Sequence, residues 1–184
     1  MYLVPEVKEW RLSRFIFLLL AMFVPAAFGV VAPHTARAAD GREAALKADL
    51  VVVEKAERTL YLLHDGEVLR RYRIALGRNP VGPKTQVGDS RTPEGIYRLD
   101  WRNPQSHYYR SIHISYPNES DRRQAAERGV PPGGDIMIHG QPRGGGRTAE
   151  IPWDWTDGCI AVANYEMDEI WALVDDGTRI EIRP

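Results

Sequence analysis

A succession of short β-branched and aromatic runs, each closed off by Gly, Pro, Asp or Asn, most constrains how this chain can fold. Leu50–Val53, Thr59–His64, Val68–Leu76, Ile96–Trp101, Ile112–Tyr116, Asp135–His139 and Arg179–Ile182 are too short and too bounded for helices and read as strands. Asp65-Gly66 predicts a tight hairpin between the second and third runs, because both residues accept positive φ. Thr92-Pro93-Glu94-Gly95 predicts a turn into the fourth, after a Gly/Pro-rich loop from Gly77 to Ser90. Asp176-Gly177 predicts a turn into the last.

Two helices interrupt the strands. Asn118 is placed to cap Glu119–Arg128, which Gly129 and Pro131-Pro132 stop. Asn164 reads as the cap of a second helix to about Val174, with Met167, Ile170, Trp171 and Val174 on one face. Strands outnumber helices and do not alternate with them. The expected class is therefore β-rich α+β with a mixed or antiparallel sheet, not a βαβ array.

The N-terminus reads as a targeting segment. Lys8, Arg11 and Arg14 precede an apolar run over 15–31, and Ala36-Arg37-Ala38 offers small residues where a signal peptidase cuts. The expectation is an exported protein cleaved after Ala38, with 39–49 as a short lead-in and 50–184 as one domain. The competing reading is an uncleaved anchor over 15–31. Removing the four basic and two acidic residues of the first 38 from totals of 24 and 25 leaves 20 and 23. That weak acidity gives no electrostatic footprint for nucleic acid. Hydrophobic and charged contents of 43% and 27% exclude bulk disorder, and one cysteine excludes an intrachain disulfide framework and a multi-cysteine metal site. Gly77-x4-Gly82-Pro83-Lys84 approaches a phosphate-binding loop, but Pro83 removes a cradle N–H, and nucleotide binding is rejected.

Cys159 lies in Thr156-Asp157-Gly158-Cys159-Ile160, a polar turn that suggests a sheet end. A structural thiol is one reading. An exported chain with a single spare thiol favours a functional one. A nucleophilic thiol needs a base. Of His64, His107, His113 and His139, the last ends an apolar strand and is followed by Gly140, which admits close backbone approach. His139 reads either as that base or as a hydrogen-bonded core histidine. His64 reads as a surface residue and His113 as core or supporting. Gly158 and Cys159 place backbone N–H groups beside the sulfur, as an oxyanion hole for acyl transfer requires.

At this point the residues resemble a family. His139-Gly140, a loop, then Thr156-Asp157-Gly158-Cys159-Ile160 is similar to the signature of the YkuD-type L,D-transpeptidases, and Thr92-Pro93-Glu94-Gly95-Ile96-Tyr97 is similar to that family's turn-strand. The resemblance spans Leu50 to Pro184. It implies a β-rich catalytic domain with a glycine-rich lid, acting on peptidoglycan as a monomer and without cofactor or metal. It implies Cys159 as nucleophile, His139 as base and the Gly140 carbonyl as the group that orients His139. The donor would be a tetrapeptide stem. Cys159 would attack the carbonyl of its diamino acid and expel D-alanine, and the acyl group would pass to an amine of another stem or of a wall-attached protein. A hydrolase using the same thioester and a non-catalytic wall-binding module are the alternatives. Asp157, Arg143, Arg147, Trp155 and His113 are the substrate-binding candidates, and Gln141–Trp155, with Gly144-Gly145-Gly146, is the expected lid. Many family members have histidine where Asp157 stands and arginine where Ala161 stands. An anion beside the thiol predicts a compensating cation, either protonated His139 or a substrate ammonium. The other expectation is that Asp157 bonds the backbone of its own turn.

Overall fold

A computed structural model describes residues 46–142 and 153–184. The signal segment and most of the lead-in lie outside the described residues. The strands are β1 (Ala48–Glu54), β2 (Thr59–His64), β3 (Glu67–Arg73), β4 (Gly95–Asn103), β5 (Ser111–Ile114), β6 (Met137–His139), β7 (Ile160–Ala161) and β8 (Val174–Arg183). The helices are α1 (Glu119–Glu127) and α2 (Asn164–Leu173). All eight strands join one sheet in the order β3-β2-β1-β8-β4-β5-β6-β7. The sheet is mixed: β1 runs parallel to β8, and β6 parallel to β7, while the other neighbours are antiparallel.

The sheet curls until its ends meet. Just beyond β3, Ala75 exchanges two 2.9 Å backbone hydrogen bonds with Ala161 of β7. Next to it, Thr156 donates to the Leu76 carbonyl and accepts from the Arg78 amide. Alternate residues of β1, β2, β4, β5 and β8 fill the interior, among them Val51, Val53, Leu60, Leu62, Leu99, Ile112, Ile114 and Ile180, all fully buried. Met167 and Ile170 add the apolar face of α2, and Val174 follows them at the start of β8. This face is the one that its 3.6-residue spacing indicates.

Local chemistry accounts for most boundaries. Asp65 and Gly66 take φ of 50° and 81°, the two positive values a two-residue hairpin between right-twisted strands demands. Asn118 accepts from the Asp121 amide and Asp121 returns a bond to the Asn118 amide, so α1 opens on a capping box. Three expectations need correction. The cap of α2 is Ala163, not Asn164: Glu166 reaches back to the Ala163 N–H at 2.9 Å, and the Asn164 side chain is used elsewhere. The last strand begins at Val174, and Asp176-Gly177 lies within it. Opposite the register jump from Ala48↔Val174 to Leu50↔Arg179, those residues bulge out and do not reverse the chain. The sheet also begins at Ala48, two residues before the expected start.

The long loop after β3 is built on two buried lysines. Lys55, 2% exposed, donates to the Gly82 and Thr92 carbonyls and to Glu94 Oε1 at 2.7–3.0 Å. Burial lowers its pKa, while Glu94 opposes the shift. Lys84, the lysine of the near phosphate-loop match, lies against Asp89 at 2.8 Å. Burial alone would raise the Asp89 carboxyl, but Lys84 and the amides of Thr85, Arg91 and Gln86 hold it below its usual range. The end of the loop meets the turn that carries Cys159, where Ser90 Oγ lies 3.3 Å from Asp157 Oδ1.

Candidate active site

Residues 156–161 are held from both sides. The Thr156 hydroxyl donates to the Cys159 carbonyl at 2.7 Å and accepts the Gly158 N–H at 3.1 Å. Thr156 is buried, so this pair of bonds fixes the turn from inside. Gly158 takes φ of 131°, and a Cβ there would stand 2.6 Å from the Arg91 carbonyl oxygen. Gly158→Ala is expected to cost at least about 3 kcal/mol, from strain and backbone collision together. Gly66→Ala, also at positive φ but with nothing within 4 Å, serves as control at about 1 kcal/mol. Thermal unfolding of the two variants checks this; equal losses would mean the Arg91 contact carries no weight.

The segment before the turn is anchored too. Asp154 accepts from Arg58 Nε and Nη2 and from the Leu76 amide, at 2.8–3.2 Å. At the other end of the expected lid, the Gln141 amide donates to Asn164 Oδ1 at 2.8 Å, and Gln141 Nε2 donates to the Val162 carbonyl. Residues 143–152, including Arg143, Arg147 and the three glycines, lie outside the described residues, and the lid expectation rests with them.

The pairings Ile138↔Ile160 and His139↔Ala161 place the thiol and the imidazole relative to each other. Ile138 and Ile160 point into the core. His139 and Cys159 therefore share the opposite face as diagonal neighbours on adjacent strands. His139 is 3% exposed, and its Nδ1 lies 2.7 Å from the Gly140 carbonyl. A carbonyl only accepts, so Nδ1 carries the proton and Nε2 is left as the basic nitrogen. Tyr108 and Trp155 pack on the imidazole, with ring centroids 4.6 and 5.6 Å away. Burial in this apolar surround pushes the His139 pKa down to about 4, against the smaller opposing effect of Gly140. Gly140 itself tolerates no side chain, since a Cβ would meet Asn164 Oδ1 at 2.5 Å.

Cys159 is partly buried, and its sulfur lies 3.6 Å from the Asp135 carbonyl. Burial raises the thiol pKa above its ordinary value, a backbone hydrogen bond with Met137 opposes this, and Asp157 and Asp135 add to it. A raised thiol and a lowered imidazole leave both groups neutral at rest. The two groups therefore do not rest as a thiolate–imidazolium pair.

The remaining expectations divide. The Gly140 carbonyl lies against His139 Nδ1. The Gly158 N–H, expected in an oxyanion hole, is instead bonded to Thr156 Oγ1. Trp155 stands against His139 and, with Ala75 and Ala161, in a small cluster of its own. His113 lies on the same face as the site, two strands from Cys159. His64 bonds the Lys47 carbonyl at the hairpin. Asp157 is exposed, and its carboxylate is paired with Arg78 and reached by the Ser90 hydroxyl at 3.3 Å. The compensating cation is thus Arg78, not His139, and the turn's internal bonds come from Thr156, not Asp157. Asp157→Asn removes an anion and releases Arg78, and both changes favour the thiolate. A few-fold faster alkylation of Cys159 near neutral pH is expected, read with iodoacetamide; slower alkylation would reverse the sign assigned to Asp157. Sequence reasoning missed Arg78 and Tyr108, whose partners lie far along the chain.

Residues 48–182 match the family model of the L,D-transpeptidase catalytic domain. The chain belongs to this family. It is 34% identical over 131 residues to "Putative L,D-transpeptidase YafK" of Escherichia coli K12, covering 67% of this chain and 46% of that protein. The chain therefore spans about half the length of this curated relative. Among solved structures, the helical cell shape determining protein Pgp2 of Campylobacter jejuni is similar at 29% identity and a TM-score of 0.54, over 73% of this chain and 46% of that one. Bd1075 of Bdellovibrio bacteriovorus shares the fold at 24% identity and a TM-score of 0.52, over 78% of this chain and 50% of that one. The L,D-transpeptidase family acts on peptidoglycan peptide stems.

Proposed function

We propose that this L,D-transpeptidase domain transfers the acyl group of a peptidoglycan tetrapeptide stem, through a thioester on Cys159, to an amine. The observation that carries this reading is the Nδ1 contact of His139 with the Gly140 carbonyl, which leaves Nε2 basic on the face that Cys159 shares. No carboxylate partner for His139 is needed. The sulfur attacks the carbonyl of the stem's diamino acid while Nε2 takes the thiol proton. Because both groups rest neutral, that proton moves as the C–S bond forms. With the Gly158 amide engaged, the Cys159 amide is the N–H beside the developing oxyanion. Collapse breaks the peptide bond, and imidazolium Nε2 returns its proton to the departing D-alanine amine. An incoming amine then repeats the sequence in reverse, losing a proton to Nε2 and freeing the thiol.

The N-terminal targeting pattern supports action outside the cytoplasm, where the wall substrate lies. The experiment is incubation with tetrapeptide stems, followed by mass spectrometry. D-Alanine release with a cross-linked product is expected. Tripeptide alone would mean that water is the acceptor and the domain is a hydrolase. Unchanged tetrapeptide would leave a binding module and end the proposal.

A further inference from the structure

Three residues outside this mechanism gather on the face that carries Cys159. Leu99 lies opposite Ile114 and Arg102 opposite Ile112, so β4 has one more residue than β5 over this stretch. Successive residues of a regular strand point to opposite faces, but this bulge leaves Asp100 and Trp101 both exposed and both on His113. Asp100 Oδ1 lies 2.6 Å from His113 Nδ1. The indole of Trp101 stacks on the imidazole, with centroids 4.9 Å apart and planes 15° from parallel. Trp101 is nonetheless 43% exposed, which a core aromatic is not.

The position of this cluster relative to the sulfur follows from register. His113 pairs with Met137, and Met137 precedes Ile138 as Cys159 precedes its partner Ile160. His113, Met137 and Cys159 therefore form one row across three strands, roughly 10 Å long at the usual strand spacing. An extended peptide covers that distance in about three residues. Arg78 lies on the other side of Cys159, on the segment that pairs with Thr156, and its guanidinium, already paired with Asp157, would share its charge with the stem's terminal carboxylate there. The stem then runs from Trp101 toward Arg78. Three residues back from the carbonyl that Cys159 attacks is the sugar to which the stem is joined.

We propose that Trp101, Asp100 and His113 form a sugar subsite for the N-acetylated amino sugar that bears the stem, so that the domain reads glycan-linked stems over free peptide; this rests on the stem reading above. A pyranose packs its apolar face on an aromatic ring, and its hydroxyl and amide edge meets a carboxylate already oriented by His113. The test compares a disaccharide-linked tetrapeptide with the free tetrapeptide. In Trp101→Ala, the ratio of kcat/KM for the linked over the free stem is expected to fall about tenfold. Equal loss on both substrates would overturn the proposal and point to a stem ammonium over the indole. An unchanged ratio would overturn it as well. A second measurement is independent of turnover: the full chain carrying Cys159→Ala is titrated with the peptide-free disaccharide while the Trp101 indole N–H resonance, identified by its loss in Trp101→Phe, is followed. A saturable shift that Asp100→Ala abolishes is expected, and no shift overturns the subsite. Should that shift appear while neither stem is turned over, the reaction reading fails and the sugar subsite stands.

Discussion

Cys159→Ala is expected to lower D-alanine release by about 10⁴-fold or more while leaving thermal stability within about 1 kcal/mol of wild type. The large loss follows from chemistry: with no sulfur, no thioester forms, and His139 has no thiol to deprotonate. The small structural effect follows from how the turn is held. Its hydrogen bonds run through the Thr156 hydroxyl, the Gly158 amide and the Cys159 carbonyl, none of which involves the sulfur. The thiol makes a 3.6 Å contact with the Asp135 carbonyl and a backbone hydrogen bond with Met137 from a partly buried position. Turnover and unfolding should be measured on one preparation. Substantial remaining turnover would remove Cys159 from the reaction, whatever the stability.

His139→Gln should lower acylation by about 10² to 10⁴-fold, the range expected for loss of a general base. It should also change how stability depends on pH. Burial pushes the folded-state pKa of His139 down to about 4, against an ordinary imidazole value of 6.5. Between these values the unfolded chain holds a proton that the folded chain does not, so stability rises with pH across this window. Its contribution is complete above pH 6.5 and is lost as pH falls toward 4, by about 3 kcal/mol in all. The glutamine variant lacks this component. Urea unfolding of both proteins from pH 4 to 7 reads the difference directly. Parallel curves would mean that the imidazole is not held neutral by burial. In the wild type the native imidazole stays neutral across this window and charges only near pH 4, so turnover should persist below pH 6 until the protein itself weakens.

What could be read from the sequence was chemistry confined to a few neighbouring residues. Asp65-Gly66 announces its hairpin and Asn118 its helix because the groups that satisfy them lie within three positions. The pairing of His139-Gly140 with Gly158-Cys159 was legible because the motif preserves the order of two adjoining strands. Arg78 was not legible as the partner of Asp157, because only the closing of the sheet brings residues 78 and 157 together. Tyr108 gave no signal for the same reason. Lys55 and Lys84 look like surface charges in the sequence, and their burial depends on carbonyls and carboxylates supplied by a loop with no periodicity of its own. Asn164 was misread for an instructive reason. A good capping residue stood beside a position that Glu166 caps by reaching back, and the asparagine was free to hold Gln141.

The seam between Ala75 and Ala161 bears on when the Cys159 turn takes its shape during folding. Both flanks of the Cys159 turn take their partners from residues 75–78, and β8 pairs with β1 and β4 across comparable or greater sequence distances, while β1–β2, β2–β3 and β4–β5 join chain neighbours. Pairings between such distant stretches must overcome more loop-closure entropy than local hairpins do. Cys159 is therefore set in place by a contact that local folding cannot supply, and a chain with its hairpins formed but its seam open would carry an unshaped Cys159 turn. During refolding, the native reactivity of Cys159 toward iodoacetamide should appear only after the local hairpins β1–β2 and β2–β3 have formed, and the interval between them measures how long the distant edges take to find each other.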